Sequence, residues 1–338
     1  MRSGANLYVH FPFCRAKCAY CALHSRPGAS VADRSAYVAT LAERVRTLGS
    51  RLGVLSTVYF GGGTPALCDL SPILDALAPH VDGETEFTVE LHPLDVSDEL
   101  LGRLADGGVN RISMGVQSLE DAVLAAMGRG YSAGFAARAF GAVRKRFEDA
   151  GIDLIVGYPG ESDGWQARIV GLGGWGLAHC SAYALQNERN LADVPDDAVT
   201  MDRLASVAEA LESIGLKRYE ISNYAVSGRE CRPNMAVWRG EDYYGLGEGA
   251  HGRIGRLRTV DYMGPHESVE TVDAATDNTE RRIFRLRTRE GLDASGRGEW
   301  IPVLDRFADE GLLRREGAVY WLTARGAEVC DTILSEIA

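Results

Sequence analysis

The sequence predicts an α/β fold, a partial barrel of the (β/α)6 type followed by a small winged-helix-like unit. Three observations carry this expectation. From residue 7 to about residue 221 short β-type runs alternate with helical segments. The unusual polar, cysteine and glycine residues cluster at or just after those runs. From Glu280 onward the pattern is helix, glycine, short two-stranded wing and helix. Alternation of strands and helices implies a parallel sheet with crossover helices. Such a barrel places its active site at the C-terminal ends of the strands.

In chain order, the expected strands are Leu7–Phe11, Val54–Phe60, Glu86–Leu91, Arg111–Val116, Ile152–Val156 and Cys180–Leu185, with a weaker run at Tyr219–Ile221. Ser71-Pro72 reads as an N-cap followed by proline at the first helical position. Ser97-Asp98-Glu99 opens the next helix with acidic residues at the positive end of its dipole, and Gly107-Gly108 closes it. A long helix is expected over Ser132–Ala150, ended by Gly151, and another over Asp197–Ile214, ended by Gly215. Residues 222–265 are richer in aromatics and glycine and lose regular periodicity. The expected division is therefore 1–221 for the barrel, 222–279 for a linking or lid region and 280–338 for the C-terminal unit.

The 338 residues and 46% apolar content allow a sizeable core. The net charge of −11 argues against nonspecific nucleic-acid binding, which depends on neutralising phosphates. No run approaches the ~18 apolar residues of a membrane helix. Met1–Asn6 carries no apolar signal segment, and the seven cysteines, three of them clustered, suit a reducing cytoplasm and a metal site.

The cluster is Cys14-x3-Cys18-x2-Cys21. Three thiolates hold three corners of a cubane iron–sulfur cluster and leave the fourth iron open to a ligand. The alternative is a zinc knuckle completed by His10 or His24, because structural zinc takes four closed ligands. Gly61-Gly-Gly-Thr64-Pro65 follows the second strand, and glycines there permit close backbone approach to a ligand. The run carries no Walker lysine. Beside an open-cornered cluster it suits S-adenosylmethionine (SAM), which chelates the unique iron through its amino and carboxylate groups.

Longer motifs agree. Tyr8-Val-His-Phe-Pro-Phe-Cys14-x3-Cys18-x-Tyr20-Cys21 and Val58-Tyr-Phe-Gly-Gly-Gly-Thr-Pro65 are followed by Glu90-Leu-His-Pro93, Val109–Ser118, Gly128-Arg129, Asp153–Gly160, Arg218–Asn223 and Gly245–His251. Together they resemble the radical SAM superfamily, in its branch containing oxygen-independent coproporphyrinogen III dehydrogenase (HemN) and the heme chaperone HemW. The resemblance implies a 4Fe–4S cluster on Cys14, Cys18 and Cys21. It implies SAM contacts at Gly62, Gly63, Thr64, Tyr8 and Tyr20, and polar contacts to SAM at Glu90, Gln117, Arg129 and Asp153. The implied chemistry is reductive cleavage of SAM to methionine and a 5′-deoxyadenosyl radical, with an electron donor such as flavodoxin or ferredoxin.

Within that branch, the dehydrogenase typically has a fourth cysteine shortly after the third and a longer N-terminal segment. Here Cys21 is followed by Ala22-Leu23-His24, and 13 residues precede Cys14. Both features favour the HemW-like side, whose implied role is to bind heme and pass it to membrane hemoproteins. The alternative is oxidative decarboxylation of coproporphyrinogen III. Two departures stand out. Where the HemW pattern has His-Asn-x-x-Tyr-Trp, this chain has Pro233-Asn234-Met235-Ala236-Val237-Trp238, and Ala22 stands where aspartate is common. An iron ligand must then come from elsewhere, with His251 the leading substitute and Met235 and Cys231 nearby; histidine, thioether and thiolate all serve as axial ligands.

A third class, a DNA-binding regulator built on the winged-helix-like tail, fits poorly. Residues 280–338 hold ten Lys/Arg against eleven Asp/Glu, without the basic excess a DNA reader needs.

Overall fold

The computed structural model describes residues 4–263 and 268–338. Residues 1–3 and 264–267, within the expected barrel and linking segments of the sequence, lie outside the described residues. The expected strands form one parallel run: β1 (Asn6–Phe11), β2 (Thr57–Gly62), β3 (Glu86–Leu91), β4 (Arg111–Gln117), β5 (Asp149–Val156) and β6 (His179–Ala184). Their inward and outward faces are buried on both sides, as parallel sheets require. Phe11, Phe60 and Phe87 stack through the centre, with ring centroids 5.1 and 4.9 Å apart.

The sheet continues past both ends of this run and does not close. Beyond β6 come two short antiparallel strands, β7 (Lys217–Arg218) and β8 (Asn223–Ala225). Beyond β1 lies β9 (Tyr243–Leu246), parallel to it, and then an antiparallel ladder of β10 (Ala250–Ile254), β11 (Leu257–Asp261) and β12 (Ser268–Thr271). Among the described residues the result is a twelve-stranded open sheet.

Most crossover helices follow the expected punctuation. The first, α1 (Val31–Leu48), opens on a capping box between Ser30 and Asp33. Next, α2 spans Ser71–Leu77, but its first turn is held by Asp69, which accepts from the Ser71 amide and hydroxyl, so the cap lies further upstream than Ser71. Ser97 caps α3 (Asp98–Asp106), and Gly107 ends it. After α4 (Asp121–Ala126), Ser132 caps α5 (Ala133–Arg144). Then come α6 (Trp165–Gly171) and α7 (Asp197–Ser213), the latter capped by Asp196.

Two expectations need correction. The helix expected over Ser132–Ala150 stops at Arg144, and Asp149 and Ala150 already pair with Arg111 and Ile112. Gly151 is a strand residue, not a helix terminator. A Cβ there would lie 2.7 Å from the His179 carbonyl oxygen, so the neighbouring strand dictates the glycine. Tyr219–Ile221 is not a strand either; it forms the corner between β7 and β8, and only Glu220 makes a bridge, to Thr288.

Chain 232–338 adds α8 (Arg232–Trp238), α9 (Ala274–Ile283), β13 (Leu292–Asp293), α10 (Ile301–Asp309), β14 (Leu313–Glu316), β15 (Val319–Leu322), α11 (Ala324–Glu328) and α12 (Cys330–Ser335). Here β13, β15 and β14 make a three-stranded antiparallel sheet in that order. This part has its own core, centred on Leu286, Leu292, Leu304, Tyr320 and Ile333. Among the described residues no helix is long and apolar enough to cross a membrane.

Candidate cofactor site at the strand ends

The loop that leaves β1 returns on itself. Phe13 and Cys14 run parallel to Arg26 and Pro27, and the Arg26 amide donates to the Pro12 carbonyl at 2.5 Å. Cys14, Cys18 and Cys21 are therefore held in one short excursion. All three thiols are free and partly exposed. Burial pushes the Cys14 thiol up, and the neighbouring Cys21 and Cys18 add to the shift.

The glycine-rich end of β2 is stitched beneath this loop. The Gly63 amide donates to Phe11 and the Thr64 amide to Phe13, both at 2.7 Å. A Cβ on Gly63 would lie 2.9 Å from Cys14 Sγ and 2.5 Å from the Phe13 carbonyl oxygen. Gly62 has φ +108°, and a Cβ there would meet the His10 ring at 2.5 Å. Gly63 is fixed by its close approach to the cysteine loop, and Gly62 by the His10 ring of β1.

The next strands supply carboxylates. Glu90, one residue before the end of β3, accepts from the Tyr59 hydroxyl at 2.7 Å and the Gly62 amide at 3.1 Å. Asp153 lies level with Gly115 and Ser181 and accepts from the Ser113 hydroxyl at 3.0 and 3.1 Å. Burial, and then Asp153, push Glu90 up to about 7. Burial also raises Asp153, while the Ser181 and Ser113 hydroxyls pull it back. Two half-buried carboxylates facing one space suit a ligand's ammonium and hydroxyl groups.

At the end of β4 a bulge between Gly115 and Gln117 turns the strand, and Gln117 takes φ +73°. Arg129 fills the corner beside it. Its guanidinium donates to the Gly115 carbonyl at 2.7 Å, the Tyr131 hydroxyl at 2.9 Å, the Tyr20 hydroxyl at 3.2 Å and Cys18 Sγ at 3.4 Å. Arg129 thus ties the cysteine loop to the fourth strand. Tyr20 packs on Val123, Met127, Ile155 and Tyr158.

One cavity of about 1760 Å³ collects these groups. Cys14, Cys18, Cys21, Tyr20, Gly62, Gly63, Thr64, Glu90, Gln117, Arg129 and Asp153 all line it. Tyr8 does not; its hydroxyl lies behind the wall, 2.9 Å from His10 Nδ1. Sequence reasoning passed over Tyr59, Ser113 and Tyr131, which hold the lining groups in place. No local signal marked them, because the register that sets Ser113 level with Glu90 comes from the pairing of strands remote in sequence.

The donor set fits a cubane better than a knuckle. His10 Nδ1 faces Tyr8 and its Nε2 faces the His24 carbonyl, while His24 Nε2 lies 3.1 Å from Glu248. Among the described residues no three His, Cys, Asp or Glu side chains gather around one ion position. A cubane needs no such convergence, because each thiolate takes its own iron.

The expected substitute heme ligands are not presented to this cavity. His251 lies exposed on β10, opposite Val260, and is not part of the wall. Cys231 and Met235 are buried, and the Cys231 amide donates to the Tyr219 hydroxyl at 3.2 Å. Pro233 occupies the first turn of α8, where the ring replaces an amide that needs no helical partner.

Comparison with known proteins settles the family. The radical SAM superfamily matches residues 8–170. The heme chaperone HemW of Mycobacterium tuberculosis is 32% identical over 97% of this chain and 93% of its own length. The chain belongs to the HemW family of radical SAM proteins. HemW of Bacillus subtilis is 29% identical over 98% of the chain and all of its own length (100%). The coproporphyrinogen III oxidase HemN of Escherichia coli superposes with a TM-score of 0.84 over 98% of this chain and 90% of its own, at 19% identity. That likeness is one of fold, and it accounts for the open parallel sheet and the appended C-terminal unit of this HemW-family chain.

Proposed function

We propose that this HemW-family protein is a heme chaperone. In this reading Cys14, Cys18 and Cys21 carry a 4Fe–4S cluster, and SAM lies against the Gly62-Gly63-Thr64 strand end. The observation that carries the reading is the 32% identity with a HemW across nearly the whole chain. It is supported by the run Ala22-Leu23-His24, which brings no fourth cysteine shortly after Cys21.

When bound, the cluster and SAM supply one-electron chemistry at the sulfonium centre. The chain's own contribution is placement. Arg129 donates to Cys18 Sγ and fixes the cysteine loop against β4. Glu90 and Asp153 offer acceptors deep in the cavity, and Gln117 turns into it through the bulge. Tyr8 supports from behind through His10. The electron comes from a small donor of the flavodoxin or ferredoxin type, and heme passes to membrane hemoproteins from a cytoplasmic protein. Residues 1–221, 222–279 and 280–338 serve as cofactor barrel, linking ladder and accessory unit.

The test is anaerobic reconstitution with iron and sulfide, followed by two parallel assays. Stoichiometric hemin binding with transfer to an apo-hemoprotein is the expected result. Multiple turnovers of coproporphyrinogen III to protoporphyrinogen would instead establish the dehydrogenase reading, for which the shared fold leaves room.

A further inference from the structure

The cavity is larger than one cofactor needs. Ligand pockets typically enclose ~300–1,000 Å³, against about 1760 Å³ here. The excess lies away from the cysteines, between α7 and the C-terminal unit.

There α7 shows two faces. Thr200, Val207, Ala210 and Leu211 are buried against the barrel. Met201, Leu204, Ala205 and Ala208, spaced for a second helical face, line the cavity, Leu204 and Ala208 where that face meets the barrel core. From the C-terminal side the wall is Trp321, Leu322, Ala324 and Ala327. Two apolar walls, each with two alanines, thus line the space between these units. Arg314 also lines it and stacks over the Trp321 ring at 4.9 Å.

The acidic side chains of this lobe differ from Arg314. Glu220 accepts from Trp238 Nε1 at 2.9 Å, and Asp331 pairs with Arg287. Glu209, Glu212 and Glu328 are exposed, as Arg314 is, and make the lobe's polar edge with it. No carboxylate lies within ion-pair range of Arg314 among the described residues, so its charge is open to a ligand anion.

We infer that this slot is the heme site, with the porphyrin ring lying between the α7 face and Trp321, and one propionate on Arg314. The ring matches the apolar walls, and the propionate matches the arginine, which binds carboxylates through a planar fork. The assignment rests on the heme-chaperone reading and adds the place of binding to it.

Hemin titration of the full-length, cluster-loaded protein tests it. Ala205→Trp fills the slot from an exposed helix position, and Arg314→Glu reverses the anion contact. Both variants are expected to keep wild-type iron and sulfide content and to raise the hemin Kd at least tenfold. If wild type binds hemin and both variants bind it equally well, the slot assignment is overturned while the chaperone reading stands. If wild type binds no hemin, the chaperone reading falls and the assignment falls with it.

Discussion

Gly63 lies so close to Cys14 that a methyl group on it would come within 2.9 Å of the thiol sulfur. The strand end meant to face SAM and the loop meant to hold the cluster are therefore packed backbone to side chain. Gly63→Ala must push against both Cys14 Sγ and the Phe13 carbonyl oxygen. The expected outcome is a folded protein, judged by circular dichroism, that retains less than half of the wild-type iron and sulfide after reconstitution. Wild-type loading would show that the cysteine loop yields freely at this contact.

Arg129 makes a different kind of contact, one that depends on fork geometry. Its guanidinium reaches Gly115, Tyr131, Tyr20 and Cys18 at once. Lysine keeps the charge but has a single nitrogen, so it cannot span these partners. Arg129→Lys should lower stability by about 1–3 kcal/mol, the cost of leaving buried acceptors unpaired. It should also weaken SAM binding, because the loop loses its tie to β4. Urea melts and equilibrium dialysis with SAM measure the two effects. Unchanged values in both would make the guanidinium a bystander.

Glu90 carries a pH signature. Its folded-state pKa is raised to about 7 by burial and by Asp153, above the ordinary carboxylate range. A raised acid binds its proton more tightly when folded, so stability falls as pH climbs from about 4.3 towards 7. The carboxylate faces the cavity, where water moderates the penalty, so about 1 kcal/mol is expected. Glu90→Gln keeps an acceptor for Tyr59 and Gly62 and removes the charge. The cofactor-free variant should gain stability over wild type at pH 8 and match it near pH 4.5. Parallel pH profiles for the two proteins would refute the assignment.

The parts of this site that were legible from sequence are those whose chemistry is local. The cysteine spacing, the glycine run after a strand and the cap at Ser97 each depend on near neighbours. What stayed hidden depends on strands far apart in the chain. Gly151 looked like a helix stop because His179, which demands it, is remote in sequence. The ladder over residues 243–271 lost its alternation to glycines such as Gly245, whose Cβ would lie 2.0 Å from the His251 carbonyl oxygen. Tyr59 and Ser113 read as ordinary strand residues until register brought them to Glu90 and Asp153. His251 followed a motif match along the chain, and the fold carried its side chain to an exposed strand.

Pro233 offers a direct measure of whether an iron ligand on α8 matters for hemin binding. It lies in the first turn of α8, and the preceding Arg232 amide donates to Glu86 at 3.1 and 3.2 Å. Asn234, the next residue, lines the cavity. Pro233→His would place an imidazole beside that wall without removing a helical hydrogen bond. Loss of the ring frees the unfolded chain, so stability should fall by about 0.5–1 kcal/mol. If the slot beside α7 holds the porphyrin by its faces, the new imidazole adds an iron ligand to a ring already bound. The expected result is a shifted Soret band with a hemin Kd within about threefold of wild type. A large gain in affinity, tenfold or more, would instead mean that iron ligation at this position governs binding and that the apolar walls contribute little.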